Sequence, residues 1–100
     1  MNELNITFSG ELWEVEEKGG WHFVTLPKDD AEQIKFFTSD ARGGFGSVKV
    51  TVTIGETAWE TSIFPDSKRD SYLLPVKADV RKKENLQAGD VVALKLTVAI

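Results

Sequence analysis

The sequence predicts a mainly β fold, a closed or split barrel of about six strands capped by two short helices, within the usual range for a small sheet. Three observations predict it. Residues 48–54 and 92–100 alternate apolar and polar side chains, the mark of half-buried strands. Turn signals at Gly19-Gly20, Gly55-Glu56 and Ala88-Gly89-Asp90 break the chain into strand-sized pieces. A unit of strand, Leu-Pro and short helix occurs twice, at Leu26-Pro27 and Leu74-Pro75, which suggests two halves related by a pseudo-two-fold axis and closing one barrel.

The first strand puts Ile6 and Phe8 on one face and resumes at Leu12 after Gly10. Trp13 and Val15 take the opposite phase, so a bulge or bend is expected at Gly10 in a long, curved strand. Lys18-Gly19-Gly20 is a turn, and residues 21–26 return with Trp21 and Phe23 on one face and His22, Val24 and Leu26 on the other. Beyond Pro27, Asp29 and Glu32 have the spacing of an N-cap and its reciprocal partner. They open a short helix with Ala31, Ile34 and Phe37 on one face and acids at the positive end of its dipole. Its end is expected within 39–42, ahead of the capping Gly43-Gly44. Val48, Val50, Val52 and Ile54 then form one face of a strand. After Gly55-Glu56, residues 57–64 return with Trp59, Thr61 and Ile63 together. Residues 65–71 read as polar loop, 72–76 as a short strand and 77–84 as one or two basic helical turns, with Asn85 as a left-handed cap. Val92, Leu94, Leu96, Val98 and Ile100 define the last strand.

One hundred residues suit a single β-barrel domain spanning 1–100, and 41% hydrophobic with 28% charged residues excludes wholesale disorder. The absence of cysteine excludes disulfides, a thiol nucleophile and thiolate metal centres. With His22 as the one histidine, no metal and no cofactor are expected. The net charge of -4 is uneven, with acids concentrated in residues 1–34 and a mildly basic stretch in 66–84. The N-terminus has neither a basic n-region nor an apolar h-region, and no stretch approaches the roughly 18 apolar residues of a membrane span. The chain therefore reads as cytoplasmic, without a membrane partner.

Arg42-Gly43-Gly44-Phe45-Gly46-Ser47-Val48-Lys49-Val50, Trp59-Glu60-Thr61-Ser62-Ile63-Phe64-Pro65-Asp66 and Tyr72-Leu73-Leu74-Pro75-Val76-Lys77 with Gly89-Asp90 together resemble the bacterial domain of unknown function 1905. The resemblance covers nearly the whole chain, including Phe8, Gly10, Trp13, Trp21 and Leu26-Pro27. It implies a double-split β-barrel capped by helices and carries no established activity. More distantly, the run from Leu74-Pro75 through Arg81 to Gly89-Asp90-Val91-Val92 is similar to the swapped-hairpin units of AbrB-type regulators and MazE-type antitoxins, which build the barrel from two chains and bind DNA. Here the unit occurs twice, so a monomer is expected to close the barrel alone.

Consecutive amides in Arg42-Gly43-Gly44-Phe45-Gly46-Ser47 can form an anion nest, with the Arg42 guanidinium as a clamp for carboxylate or phosphate. The run lacks the lysine and the following helix of a phosphate loop, and a helix cap with a tight turn into a strand, Phe45 folding onto the core, is the simpler explanation of its glycines. The favoured reading is a non-enzymatic binding or interaction module for a small anionic ligand or a protein. Its shallow site is formed by Arg42, Gly43, Gly44, Phe45, Gly46 and Ser47 where they meet Trp59 and Thr61. One alternative is a small enzyme acting on an anionic metabolite, with Arg42 as clamp and His22 or a carboxylate as base, although no Ser-His-Asp arrangement can be defended. The other is a DNA-binding regulator, argued from fold alone. The acidic balance opposes a nucleic-acid partner, since DNA binding draws on clustered Lys and Arg.

Overall fold

An alternating strand needs a dry face to bury, and here the dry faces meet inside a closed barrel. The computed structural model describes residues 2–38 and 46–100. Among these the order is β1 (Glu3–Val15), β2 (Trp21–Thr25), α1 (Lys28–Phe37), β3 (Val48–Ile54), β4 (Thr57–Asp66), β5 (Ser71–Pro75), α2 (Ala78–Lys83) and β6 (Val91–Ala99), with a 3-10 turn at Glu16–Lys18. The antiparallel sheet closes in the order β1-β2-β5-β4-β3-β6, so each strand has two partners. Val48, Val50, Val52 and Ile54 of β3 are buried with Val92, Leu94, Leu96 and Val98 of β6 and with Ile63 of β4. Burying each such side chain contributes about 1.5–3 kcal/mol.

The doubled Leu-Pro unit has its structural counterpart in the topology. Exchanging β1 with β4, β2 with β5, β3 with β6 and α1 with α2 leaves the sheet order unchanged. Each long strand also changes partner along its length. β1 pairs with β6 over residues 3–11 and with β2 from Leu12, while β4 pairs with β3 over residues 57–63 and with β5 from Phe64.

Four local expectations are corrected. The bulge at Gly10 is absent, because the β1–β6 register runs through it without a slip and the bend comes from the change of partner. Gly10 answers a close approach instead, since a Cβ there would lie 2.8 Å from Val24 Cγ1. Trp13 faces outward, its ring 5.2 Å from Phe23 and its Nε1 donating to Thr25 Oγ1 at 2.9 Å, which explains its opposite phase. In α1 the N-cap is Pro27 without a side-chain cap, and Asp29 sits inside the first turn. The buried face of α1 runs through Ala31 and Ile34 to Thr38 rather than Phe37, which is 47% exposed. Thr38 Oγ1 donates to Ile34 O at 2.6 Å, so its hydroxyl is satisfied and the residue is buried as an apolar one would be. The helix itself ends at Phe37 with Thr38 as its C-cap, short of the expected 39–42, while Gly43 and Gly44 lie outside the described residues and Ile100 lies beyond β6.

Candidate functional site

Because β5 joins β4 only from Phe64 onward, the earlier part of β4 has β3 on one side and, among the described residues, no paired strand on the other. Across the gap, β2 holds β5 through the pairs Phe23–Pro75, Val24–Leu74 and Thr25–Leu73, and Val76 N donates to His22 O at 2.9 Å. The barrel wall therefore opens between β4 and the paired ends of β2 and β5. The opening is a cleft of about 440 Å³ walled by Trp21, Trp59, Thr61, Phe64 and Pro75, with His22, Lys77 and Arg81 as its basic groups.

Strand alternation turns His22 inward with Val24 and Leu26, leaving it 9% exposed. Gly20, held at a φ of 76° that suits glycine, presents its carbonyl to the His22 Nδ1. A carbonyl only accepts, so Nδ1 carries a proton and Nε2 has its lone pair whenever the imidazole is neutral. That lone pair faces Arg81 Nη1 at 3.5 Å, and Glu14 Oε1 lies 3.8 Å from the same nitrogen. The Glu14 contact is an ion pair only when the imidazole is protonated.

α2 holds Arg81 over the opening. Val80 is buried, Thr57 Oγ1 of β4 donates to Glu84 Oε2 at 2.6 Å, and Arg81 Nε donates to Val76 O at 3.1 Å. Two sides of the half-buried guanidinium are thus committed. Among the described residues neither Arg81 nor Lys77 has a carboxylate partner, while Glu60 is the acid lining the cleft. A wider depression of about 610 Å³ lies on the outer face of β3 and β4, lined by side chains such as Lys49, Thr51, Glu60 and Ser62. It has no buried polar group, so the smaller cleft is the better-built site. Among the described residues no group of three His, Asp or Glu side chains is placed to hold a metal ion.

Of the residues named from sequence, Trp59, Thr61 and the alternative base His22 line the cleft. Arg42, Gly43, Gly44 and Phe45 lie outside the described residues. Gly46 abuts Pro65, where an added Cβ would come within 3.3 Å of Pro65 Cγ, next along the chain to Phe64, and Ser47 precedes β3 half-buried. Arg81 and Lys77 were not foreseen as site residues. The usable signal was the second Leu-Pro step, which carries Lys77 and Arg81 to the barrel end where the β1–β2 turn brings His22.

A family model described as Domain of unknown function (DUF1905) matches residues 8–96, which takes in both Leu-Pro units and every wall of the cleft. The chain belongs to the DUF1905 family. Among curated proteins no match was found. In this DUF1905 chain the six-stranded barrel is closed within one polypeptide, and no described helix is long and apolar enough to cross a membrane.

Proposed function

We propose that this DUF1905 chain is a non-enzymatic binding module that takes a small ligand into the cleft between β4 and α2. The observation that supports it is Arg81, a half-buried cation tied at Nε and Nη1, lacking a carboxylate among the described residues and set beside an aromatic-walled opening. Ligand sites characteristically combine apolar walls with a few fixed polar groups, at volumes like this one. The net charge of -4 weighs against a nucleic-acid partner despite the basic end of α2. The test is a fragment mixture titrated into ¹⁵N-labelled protein. The indole N–H signals of Trp59 and Trp21 and the amide of Thr61 are expected to shift, whereas shifts confined to Lys49 and Thr51 would move the site to the outer face.

A second reading, a small enzyme with His22 as base, is favoured by the convergence of His22, Arg81 and Glu14. It requires that the bound compound be turned over. Recovery of the best-binding fragments unchanged after prolonged incubation would leave the binding reading alone.

A further inference from the structure

We infer that the cleft takes a monocarboxylate carried on a flat, aromatic or unsaturated body, an inference that rests on the cleft being the binding site. Arg81 supplies the first reason. A guanidinium has five N–H donors in a planar fork, and the described contacts engage only Nε and one Nη1 position. Holding those two fixes the plane of the fork, and the remaining donors match the two oxygens of a carboxylate. A partly desolvated cation without a carboxylate partner among the described residues is costly, and an incoming anion relieves that cost.

Charge counting supplies the second. Lys77 and Arg81 against Glu60 leave the described cleft lining, of which Glu14 behind His22 is not a part, with a single positive excess. One negative charge balances it. A phosphate dianion or a nucleotide would bring further charge with no partner in the cleft, against a protein that is already -4 overall.

The aromatic walls supply the third. Trp21 is 54% and Phe64 43% exposed, an unusual display of ring surface at the mouth of an opening that also has Trp59 in its wall. A bare carboxylate such as acetate would leave those rings and most of the 440 Å³ unused, whereas a flat ring system covers them. In this arrangement His22 is a positioning residue, its Nε2 lone pair holding one arm of Arg81.

The test compares 2-naphthoate, its neutral isostere 2-naphthamide, acetate and inorganic phosphate on the wild-type protein, followed by tryptophan fluorescence and by the amide shifts of Thr61 and Arg81. Naphthoate is expected to bind at least about tenfold more tightly than the amide, as befits hydrogen bonds to a charged group. Acetate and phosphate should bind more weakly still. Arg81→Met should bring naphthoate down to the level of the amide and should cost the acid, which loses a charged bidentate partner, more than it costs the amide, whose carbonyl accepts from Arg81 only as a neutral group. Equal binding of amide and acid, or phosphate binding as tightly as naphthoate, would overturn the carboxylate inference while the cleft remains a binding site. If none of the probes nor any fragment shifts a cleft residue, both readings fall. The wild-type comparison decides the matter even if Arg81→Met fails to fold.

Discussion

The two ends of the barrel are built on one pattern and finished differently. At the α1 end the helix buries Ala31 and Ile34, and Thr38 behind them closes the barrel as an apolar residue would. At the α2 end the helix buries Val80 alone, and the next residue is Arg81. The strands differ in the same sense. Matching the chain through its Leu-Pro steps sets His22, buried and hydrogen-bonded, against Asp70, which sits exposed at a φ of 51° in the turn before β5. Shared topology fixes where the two ends are, and side chains decide whether an end is plugged or left as a cleft with polar groups in it.

The largest expected effect tests the plug. Ile34, with no exposed surface, leaves a cavity when cut to alanine, and Ile34→Ala should cost about 2–5 kcal/mol in a urea titration. Val80→Ala removes less volume from the more open end and should cost about 1–3 kcal/mol. A reversed order would mean that α2, not α1, is the main closure. Binding of naphthoate should survive Ile34→Ala wherever the protein is folded, because the plug and the cleft lie at opposite ends of the pseudo-two-fold.

Next comes the wall that both ends share. Val50 points into the barrel and Lys49 out of it, so Val50→Ala should cost about 1–3 kcal/mol and Lys49→Ala less than about 0.5 kcal/mol. Equal costs would mean that β3 is not a two-faced strand. A smaller effect belongs to the α2 end alone. Thr57→Val keeps the side-chain shape but removes the donor to Glu84, and should cost about 1 kcal/mol. Amide exchange should then speed up at Glu84, which donates to Val80 O, and remain unchanged at Thr38, which donates to Ile34 O. Faster exchange at both would show that the contact stabilises the whole barrel rather than the helix that carries Arg81.

Much of this comparison was legible in the sequence. Residues 48–54 and 92–98 declared their faces because a period of two is unambiguous when both faces are consistent, and the Leu-Pro repeat declared the two halves. The plug was misread at one position: Phe37 has the more apolar side chain, but Thr38 completes the helical stripe and hides its hydroxyl on Ile34 O, a local bond that composition does not reveal. The bulge was misread because Trp13 and Val15 look like a phase change, whereas they pack on an outer aromatic face with Phe23 and Trp21. In the cleft, Trp59 and Thr61 were found because they lie on a clear strand face. Arg81 was not, since it meets His22 across a separation of 59 residues and reads locally as one basic residue among several.

The smallest effect is electrostatic and lies at the plugged end, where Asp30 belongs to α1 and Asp66 lines a depression beside that helix. The Arg69 side chain donates to Asp66 at 2.6 Å and the Lys68 amide at 3.1 Å, and chiefly the Arg69 bond holds the Asp66 carboxyl below the usual carboxylate range. Burial, helped by the charge of Asp29, pushes Asp30 up. The two therefore act on stability with opposite signs. Asp66 contributes stability that is fully present above the ordinary aspartate value and is lost as pH falls through its lowered folded value. Asp30 favours the fold most when protonated, below its ordinary value, and that contribution is lost as pH rises through its raised folded value. At neutral pH Asp66→Asn should then destabilise slightly and Asp30→Asn should be neutral or slightly stabilising, each small because Arg69 and the turn are open to solvent. Carboxyl ¹³C titration should give Asp66 a lower midpoint than Asp30. Arg69 also lies over the Trp13 ring at 4.3 Å, which helps to fix its position, so Trp13→Leu should raise the Asp66 midpoint and leave Asp30 where it is. An Asp66 midpoint at or above that of Asp30 in the wild type would show that the Arg69 contact does not persist in solution, and the plugged end would then be held without it, by its apolar residues and by the buried hydrogen bonds of Thr38 and Ser71.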